Sequence, residues 1–249
     1  MNKMKVMKNR FFLCVAIALV TLSIFPQLSS ATLVWSETFG GSEIDSEIWS
    51  TTYGQLEDGC LRGVAGQGES LYRNSTVSVG TWKLELTKMN DWTSHSLQDF
   101  CRVYLLTTDA PSLSSEYLSL SLKQTFSGDE ESTSYNLDKY SNGAHSFLAT
   151  YMGQARETII GVLHRFTITR TSGGLVSVKL NDTPILQATI TDISSTQYFG
   201  FYTRDDWALD NIFVDDTPEV GGYPLIMIVA GVGISVVVIA IVVFFVRRK

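Results

Sequence analysis

Three acidic residues near the start of the chain follow one another at every second position: Glu43, Asp45 and Glu47. Side chains two residues apart on a β-strand point to the same face, so this spacing would bring three carboxylates together. Two carboxylates about 5 to 5.5 Å apart can hydrolyse a glycosidic bond with retention, one as the nucleophile and one as the acid and base. However, Gly40 and Gly41 come just before them and favour a turn. We therefore expect solvated carboxylates without catalysis, and a membrane-tethered glycoside hydrolase is the alternative.

A second group of side chains lies opposite the apolar positions of three predicted strands, at about 79–89, 100–107 and 116–126. If these strands are neighbours in one sheet, the group forms a single polar and aromatic patch: Lys83, Glu85, Arg102, Tyr104 and Tyr117. Sugars bind such patches by stacking on rings and by hydrogen bonds to fixed polar groups. Trp92, in the loop after the first strand, is a further ring candidate. The alternative is the ordinary solvated face of an antiparallel sheet.

The elements that must position these residues are strands. Residues 160–190 predict three antiparallel strands that share one apolar face, with turns at 171–174 and at Asn181-Asp182. Residues 54–70 and 127–143 are predicted to be surface loops. Many short strands without a convincing helix predict an all-β fold, a two-sheet antiparallel sandwich.

The two ends of the chain carry targeting signals. Residues 1–31 predict a secretory signal peptide, with a basic start, an apolar core and small residues before a cleavage after Ala31. An uncleaved N-terminal anchor is the alternative. Residues 32–216 then form the exported domain and 217–223 a stalk. The uncharged residues 224–246 predict one transmembrane helix, and the basic residues 247–249 a cytoplasmic tail. We expect a plasma membrane protein with a single span and the domain outside the cell.

The charge balance limits the classes of molecule that the domain can bind. Seven basic residues lie at the two termini, which leaves 12 basic residues against 25 acidic ones and a net charge of about −13 between them. Nucleic acid needs a basic surface, so it is excluded as a partner.

Two covalent modifications are predicted for an exported domain. Cys60 and Cys101 are the only cysteines after the signal peptide, and such a pair outside the cell is most often a disulfide. This bond would close a loop of about 40 residues and add about 3 to 4 kcal/mol of stability. Asn74 and Asn181 begin N-glycosylation sequons, and Pro184 after the second sequon makes Asn74 the better candidate.

Four stretches resemble the concanavalin A-like lectin and glucanase superfamily, which includes LamG-type modules. They are Trp35-Ser-Glu-Thr-Phe39 followed by Trp49, His164-Arg-Phe-Thr-Ile-Thr-Arg170, Val176 to Asn181, and Leu209-Asp-Asn-Ile-Phe-Val214. The resemblance implies a jelly-roll sandwich with a concave sheet face that often meets carbohydrate, in a fold that hosts both binders and hydrolases.

The same resemblance bears on two sites. Glu43, Asp45 and Glu47 look like the catalytic spacing of laminarinase-like glycosidases. Those enzymes carry it in mid-chain on a core strand, whereas here it follows Gly40-Gly41 near the N-terminal end of the domain. Asp210 resembles a position at which some relatives bind Ca²⁺ near the sheet rim, but no acidic cluster accompanies it. We therefore predict no cofactor, with calcium as the alternative. The predicted function is non-catalytic binding of a glycan or of a neighbouring surface protein, and a purely structural envelope protein is a further alternative.

Overall fold

The computed structural model describes residues 32–51, 55–62, 69–89, 100–109, 116–127, 130–141, 143–153, 160–203 and 207–218. All regular structure in these residues is β-strand, which agrees with the predicted all-β class. Within the described ranges there is no helix long and apolar enough to span a membrane. The predicted signal peptide, transmembrane helix, basic tail and Trp92 lie outside the described residues.

The described part of the chain forms fifteen strands: β1 (Leu33–Glu37), β2 (Ser50–Thr51), β3 (Gln55–Glu57), β4 (Cys60–Arg62), β5 (Glu69–Asn74), β6 (Gly80–Lys88), β7 (Phe100–Thr107), β8 (Tyr117–Ser127), β9 (Glu130–Ser141), β10 (Ala144–Met152), β11 (Leu163–Arg170), β12 (Leu175–Leu180), β13 (Thr183–Thr189), β14 (Tyr198–Thr203) and β15 (Trp207–Asp215).

These strands pair into two antiparallel sheets. Sheet A has the order β13-β12-β11-β6-β15-β4-β3, and β1 also pairs with β15. Sheet B has the order β10-β9-β8-β7-β14-β5-β2. Apolar side chains from both sheets, such as Trp82 and Leu86 of β6 and Leu120 of β8, are buried in one core cluster. The predicted two-sheet sandwich is therefore confirmed.

The predicted three-stranded unit at 160–190 is also confirmed, as β11, β12 and β13. Gly174 ends the first turn with φ of 79°, and a Cβ at this position would lie 2.2 Å from the carbonyl oxygen of Ile190. Asn181 and Asp182 form the second turn with φ of 47° and 66°, the conformation that a tight hairpin requires.

Two predicted loops contain strands. Residues 127–143 include β9, which lies between β8 and β10 in sheet B. Tyr135 and Leu137 are the residues of this strand that belong to the hydrophobic core cluster, and its mostly polar sequence looked like a loop. Residues 54–70 include the short hairpin β3–β4, whose turn at Asp58-Gly59 has positive φ at both residues. A two-residue Asp-Gly turn is a strong hairpin signal, which the sequence analysis missed.

The predicted disulfide is not formed in this structure, although both of its cysteines are described. Cys60 lies in sheet A and Cys101 in sheet B. Cys101 is fully buried in the core, whereas the Sγ of Cys60 lies 4.0 Å from the carbonyl oxygen of Asp58 in its own turn. The two side chains therefore occupy different environments, and a disulfide needs Cα atoms within about 7 Å and converging Cβ atoms.

Candidate functional site

The face of sheet B that points away from the core, called here the outer face of sheet B, carries a regular array of side chains. Strand pairing places these in rows that cross the strands in the order β5, β14, β7, β8, β9, β10. The central row consists of Tyr72, Gly200, Tyr104, Ser119, Asp138 and Phe147. One neighbouring row consists of Asn74, Tyr198, Thr107, Tyr117, Tyr140 and His145. On the other side lie Tyr202, Arg102, Ser121, Asn136 and Thr150.

Aromatic rings connect neighbouring strands across this face. The rings of Tyr104 and Tyr117 meet edge to face with centroids 5.1 Å apart, and Tyr117 stacks on Tyr140 at 5.6 Å. Tyr72 and Tyr198 form a second edge-to-face pair at 5.6 Å. Such pairs fix ring positions as well as burying apolar area. The outer face therefore holds aromatic rings at defined places.

A buried ion pair lies in the middle of the rings. Arg102 Nη1 donates a hydrogen bond to Tyr117 Oη at 3.1 Å, and Arg102 Nη2 lies 3.9 Å from Asp138 Oδ2. Ser121 Oγ donates a hydrogen bond to the same carboxylate oxygen. On the edge strand β10, His145 Nε2 lies 3.9 Å from Asp138 Oδ1. Strands β7, β8, β9 and β10 thus contribute to one polar cluster.

Asp138 is the group whose charge this cluster must balance, because the residue is fully buried. Burial raises the pKa of Asp138 above its ordinary value, whereas the hydrogen bond from Ser121 and the charges of Arg102 and His145 lower it. Among the described residues, Asp138 Oδ1 and Ser119 Oγ are buried without a hydrogen-bond partner.

The predicted patch divides between the two sheets. Arg102, Tyr104 and Tyr117 come together on the outer face of sheet B, as described above. Lys83 and Glu85 lie on β6, which pairs with β11 and β15 in sheet A, so a single patch of all five residues was wrong. Glu85 instead accepts hydrogen bonds from Arg165 Nε at 2.8 Å and from Asn211 Nδ2 at 2.6 Å.

The three alternating acids lie in a turn and not on a strand. Glu43, Asp45 and Glu47 are all exposed. The carboxylate of Asp45 accepts a hydrogen bond from the backbone nitrogen of Glu47 at 2.9 Å, and its carbonyl oxygen accepts one from Trp49 at 2.8 Å. This arrangement is the polar turn that Gly40 and Gly41 predicted. These three described residues therefore lack the arrangement on one face that a strand would give them.

Of the remaining predicted sites, Asp210 and Asn181 lie apart from the outer face of sheet B, whereas Asn74 lies on that face. Both oxygens of Asp210 accept hydrogen bonds from Asn211, and the described residues contain no group of three or more His, Cys, Asp or Glu side chains placed to hold a metal ion. These residues therefore do not form the multi-oxygen site that Ca²⁺ prefers. Asn74 and Asn181, the sequon residues, are both exposed, and Asn74 lies at the end of one row of the outer face.

Several members of the array were not among the predicted site residues: Tyr72, Ser119, Asp138, Tyr140, Tyr198 and Tyr202. Asp138 and Tyr140 lie on β9, within the stretch predicted as a loop, and Tyr198 and Tyr202 lie on β14, which is distant in the sequence from the strands of the predicted patch. The alternation of Tyr135, Leu137 and Lys139 with Asn136, Asp138 and Tyr140 is a two-residue period, and this signal would have placed Asp138 and Tyr140 on the outer face.

Comparisons with known proteins support the architecture. The sequence matches no protein-family model and no curated protein. The structure is similar to the carbohydrate recognition domain of Emp47p, with a TM-score of 0.54 and 11% identity over 77% of this chain and 99% of that one. It is similar to the exoplasmic/lumenal domain of VIP36 in its Ca²⁺/Man2-bound form, with a TM-score of 0.53 and 14% identity over 76% of this chain and 90% of that one.

A glycosidase has the same architecture. The GlcNAcα1-4Gal-releasing endo-β-galactosidase from Clostridium perfringens aligns with a TM-score of 0.52 and 13% identity over 79% of this chain and 65% of that one. The described domain is therefore a concanavalin A-like jelly-roll sandwich. At these identities the likeness establishes the fold, and the choice between binding and hydrolysis has to be argued from the side chains of this chain.

Proposed function

We propose that this chain is a single-pass surface protein whose sandwich domain binds glycan without cleaving it, through the outer face of sheet B. The observation that carries the proposal is the set of part-exposed rings on this face, Tyr72, Tyr140, Tyr198 and Tyr202, which flank the buried Arg102–Asp138 pair. Rings supply stacking surfaces for sugars, and fixed polar groups between them accept or donate hydrogen bonds to sugar hydroxyls. The carbohydrate recognition domains among the structural neighbours add support for this ligand class.

The carboxylates of the described residues support binding more than hydrolysis. Retaining and inverting glycosidases both need a pair of carboxylates beside the scissile bond. The three described rows of the outer face contain one carboxylate, Asp138. Glu43, Asp45 and Glu47 lie in an exposed turn and not on a strand that would place their carboxylates on one face.

Anchoring in the plasma membrane is part of the proposal and rests on the sequence of the two termini. The ends of the described domain lie side by side, because Thr32 N donates to Asp216 Oδ1 and Asp216 N donates to Thr32 O, each at 3.2 Å. The last described residue is Pro218, which precedes the apolar run 224–246 by a few residues. A chain of this length would hold the domain near the outer surface of the membrane.

The proposal is tested by glycan binding of the full-length chain, purified in a detergent without a sugar headgroup and applied to an array of neutral and acidic glycans. We expect binding to at least one class of glycan, and we expect Tyr202→Ala or Tyr140→Ala to weaken it about tenfold, equivalent to about 1.4 kcal/mol. The matched control is Phe213→Ala, which removes a part-exposed ring from the outer face of sheet A.

Two results would overturn the proposal. The first is that the chain binds none of the glycans on the glycan array. The second is the release of reducing sugar from array ligands that is lost in the double variant Glu43→Gln, Glu47→Gln, because that result would make the chain a glycoside hydrolase. The array is run with calcium and again with EDTA, so that a requirement for Ca²⁺ at Asp210 or elsewhere would be detected.

A further inference from the structure

Asn74, the first residue of a glycosylation sequon, is the last residue of β5 and lies at one corner of the outer face of sheet B. The sequon continues with Ser75 and Thr76. Ser75 is buried: its backbone nitrogen donates to Gln197 O at 2.9 Å, and its hydroxyl accepts a hydrogen bond from Trp35 Nε1 at 3.4 Å. Asn74 and Thr76 are both exposed. A sugar on Asn74 would therefore project into solvent from a strand end that is held in place on its buried side.

Two tyrosine rings lie beside Asn74. Tyr198 is its partner in the pairing of β5 with β14, and Tyr72 precedes it by two positions on the same face of β5. Side chains directly opposite each other on paired antiparallel strands have Cβ atoms about 4.5 to 5.5 Å apart. The two rings meet edge to face with centroids 5.6 Å apart, and both are only half-buried. The ring of Tyr198 is thus fixed next to Asn74, and part of its surface is free for a further contact.

We propose that Asn74 carries an N-linked glycan and that the first sugar of this glycan packs against the ring of Tyr198. The inference rests on the export of the domain, which is part of the proposed function. The first sugar is bonded to the side-chain nitrogen of Asn74, so it begins level with the outer part of a tyrosine ring on the neighbouring strand. Its C–H groups can stack on that ring. Because the covalent bond holds the sugar beside the ring, even a weak contact is populated.

The second sequon has a different environment. Asn181 lies in the turn between β12 and β13 with φ of 47°, and its Oδ1 accepts a hydrogen bond from Arg165 N at 3.0 Å. Its side chain is therefore turned towards the backbone of β11, and Pro184 follows the last residue of the sequon, Thr183. Of the two sequon asparagines, Asn74 is the one that strand pairing places opposite a tyrosine.

The test uses the full-length chain expressed in human cells with kifunensine, so that endoglycosidase H trims each glycan to its first sugar, N-acetylglucosamine. Thr183→Ala removes the second sequon, leaves Asn181 in place and serves as the parent. We expect peptide mass spectrometry to find one N-acetylglucosamine on Asn74 of the trimmed parent. Thr76→Ala in this parent removes the remaining sequon without changing Asn74, and Thr76→Ser, which retains a sequon, is the matched control.

The sugar should stabilise the domain through Tyr198. We expect the trimmed parent to melt about 2 °C or more above the Thr76→Ala chain, as one aromatic contact would produce in a domain of this size, and the trimmed Thr76→Ser chain to melt with the parent. With Tyr198→Ala added, the difference should vanish. In NMR spectra of ¹³C-labelled sugar, the acetyl methyl signal of the folded parent should lie upfield of its position in the urea-unfolded parent, because a stacked ring shields it.

The inference is overturned if Asn74 carries no sugar on a chain whose domain is cleaved by protease added to intact cells. It is also overturned if the trimmed parent and the Thr76→Ala chain melt together, or if unfolding leaves the acetyl signal unshifted. Those results would leave the proposed surface location and glycan binding in place. Protection of the domain from protease added to intact cells would instead overturn the surface location itself, and this inference with it.

Discussion

Arg102 contacts Tyr117 in two ways: Nη1 donates a hydrogen bond to the phenolic oxygen at 3.1 Å, and the guanidinium carbon lies 5.1 Å from the ring centroid. The same guanidinium carbon lies 5.7 Å from the centroid of Tyr104. Arg102 thus joins β7 to β8 on the outer face and fixes two rings at once. Its second nitrogen, Nη2, faces Asp138 of β9, so one side chain links three strands of the proposed binding face.

Removing the hydroxyl group of Tyr117 should destabilise the domain. Tyr117→Phe keeps the stacking on Tyr140 and deletes one hydrogen bond to a charged donor, which is worth about 1.5 kcal/mol or more. The urea unfolding midpoint, followed by the fluorescence of the buried tryptophans, should fall accordingly. Tyr140→Phe is the matched control and should stay within about 0.5 kcal/mol of the parent chain. Equal midpoints for all three chains would show that the hydrogen bond contributes nothing.

Asp138 should make stability depend on pH. Its pKa is raised above the ordinary carboxyl value of 3.8, mainly by burial. Between 3.8 and the raised pKa, the folded chain binds more protons than the unfolded chain, so the free energy of unfolding falls as pH rises through this interval. Asp138→Asn carries no such charge and should lack the fall. The difference between the two urea midpoints, measured from pH 3.5 upward, should therefore grow in favour of the variant.

His145 Nε2 lies 3.9 Å from Oδ1 of the same carboxylate, so the comparison is repeated in a His145→Gln background. We expect the pH-dependent difference at Asp138 to persist in that background. Parallel curves for the parent and the Asp138→Asn chain would contradict a raised pKa at this position.

The turn between β11 and β12 should tolerate a methyl group at one glycine and not at the next. Gly174 has φ of 79°, and a Cβ there would lie 2.2 Å from Ile190 O, so both the backbone conformation and the space exclude alanine. The left-handed conformation alone costs about 1 to 2 kcal/mol for an L residue. Gly174→Ala should therefore lower the unfolding free energy by at least about 2 kcal/mol or prevent folding.

Gly173→Ala provides the control one residue earlier, where the nearest atom to an added Cβ is Thr171 Oγ1 at 3.8 Å. We expect this variant to unfold within about 0.5 kcal/mol of the parent. A Gly174→Ala chain as stable as the Gly173→Ala chain would show that the turn is looser than described.

The two cysteines of the domain should behave as different thiols and not as a disulfide. Burial raises the pKa of the Cys60 thiol, and the nearby carboxylates of Asp210 and Asp58 raise it further, so its alkylation at neutral pH should be slow. Cys101 is fully buried and should be alkylated only after unfolding. Peptide mapping by mass spectrometry distinguishes the two positions. A peptide pair joined through Cys60 and Cys101 in the non-reduced chain would contradict the structure.

The sequence predicted the fold class because alternation of apolar and polar residues survives wherever one strand face is solvated, as in β11 and β12. It did not predict β9, because the outward side chains of that strand are polar and yet buried, and the strand has few apolar residues. The alternation of apolar and polar residues also gives no information about which of the two sheets a strand joins. The chain passes from sheet A to sheet B between β6 and β7, so Lys83 and Glu85 were assigned to the wrong patch.

The candidate site was predicted in part for the same reason. Arg102, Tyr104 and Tyr117 were found from the parity of β7 and β8, which are neighbours in both the sequence and the sheet. Tyr72 and Tyr202 join them through β5 and β14, and β14 is distant from β7 in the sequence. Pairings of this kind depend on the tertiary fold, and a local pattern contains no information about them.

The most direct test of glycan binding at the outer face of sheet B is photochemical cross-linking. Cellohexaose, mannohexaose and chitohexaose carrying a diazirine are irradiated with the full-length chain, and the modified residues are mapped by mass spectrometry. We predict adducts on strands β5, β14 and β10, at or beside Tyr72, Tyr202 and Phe147, that disappear when the unlabelled hexamer competes. Competed adducts confined to the outer face of sheet A, around Lys83 and Phe213, would contradict the account.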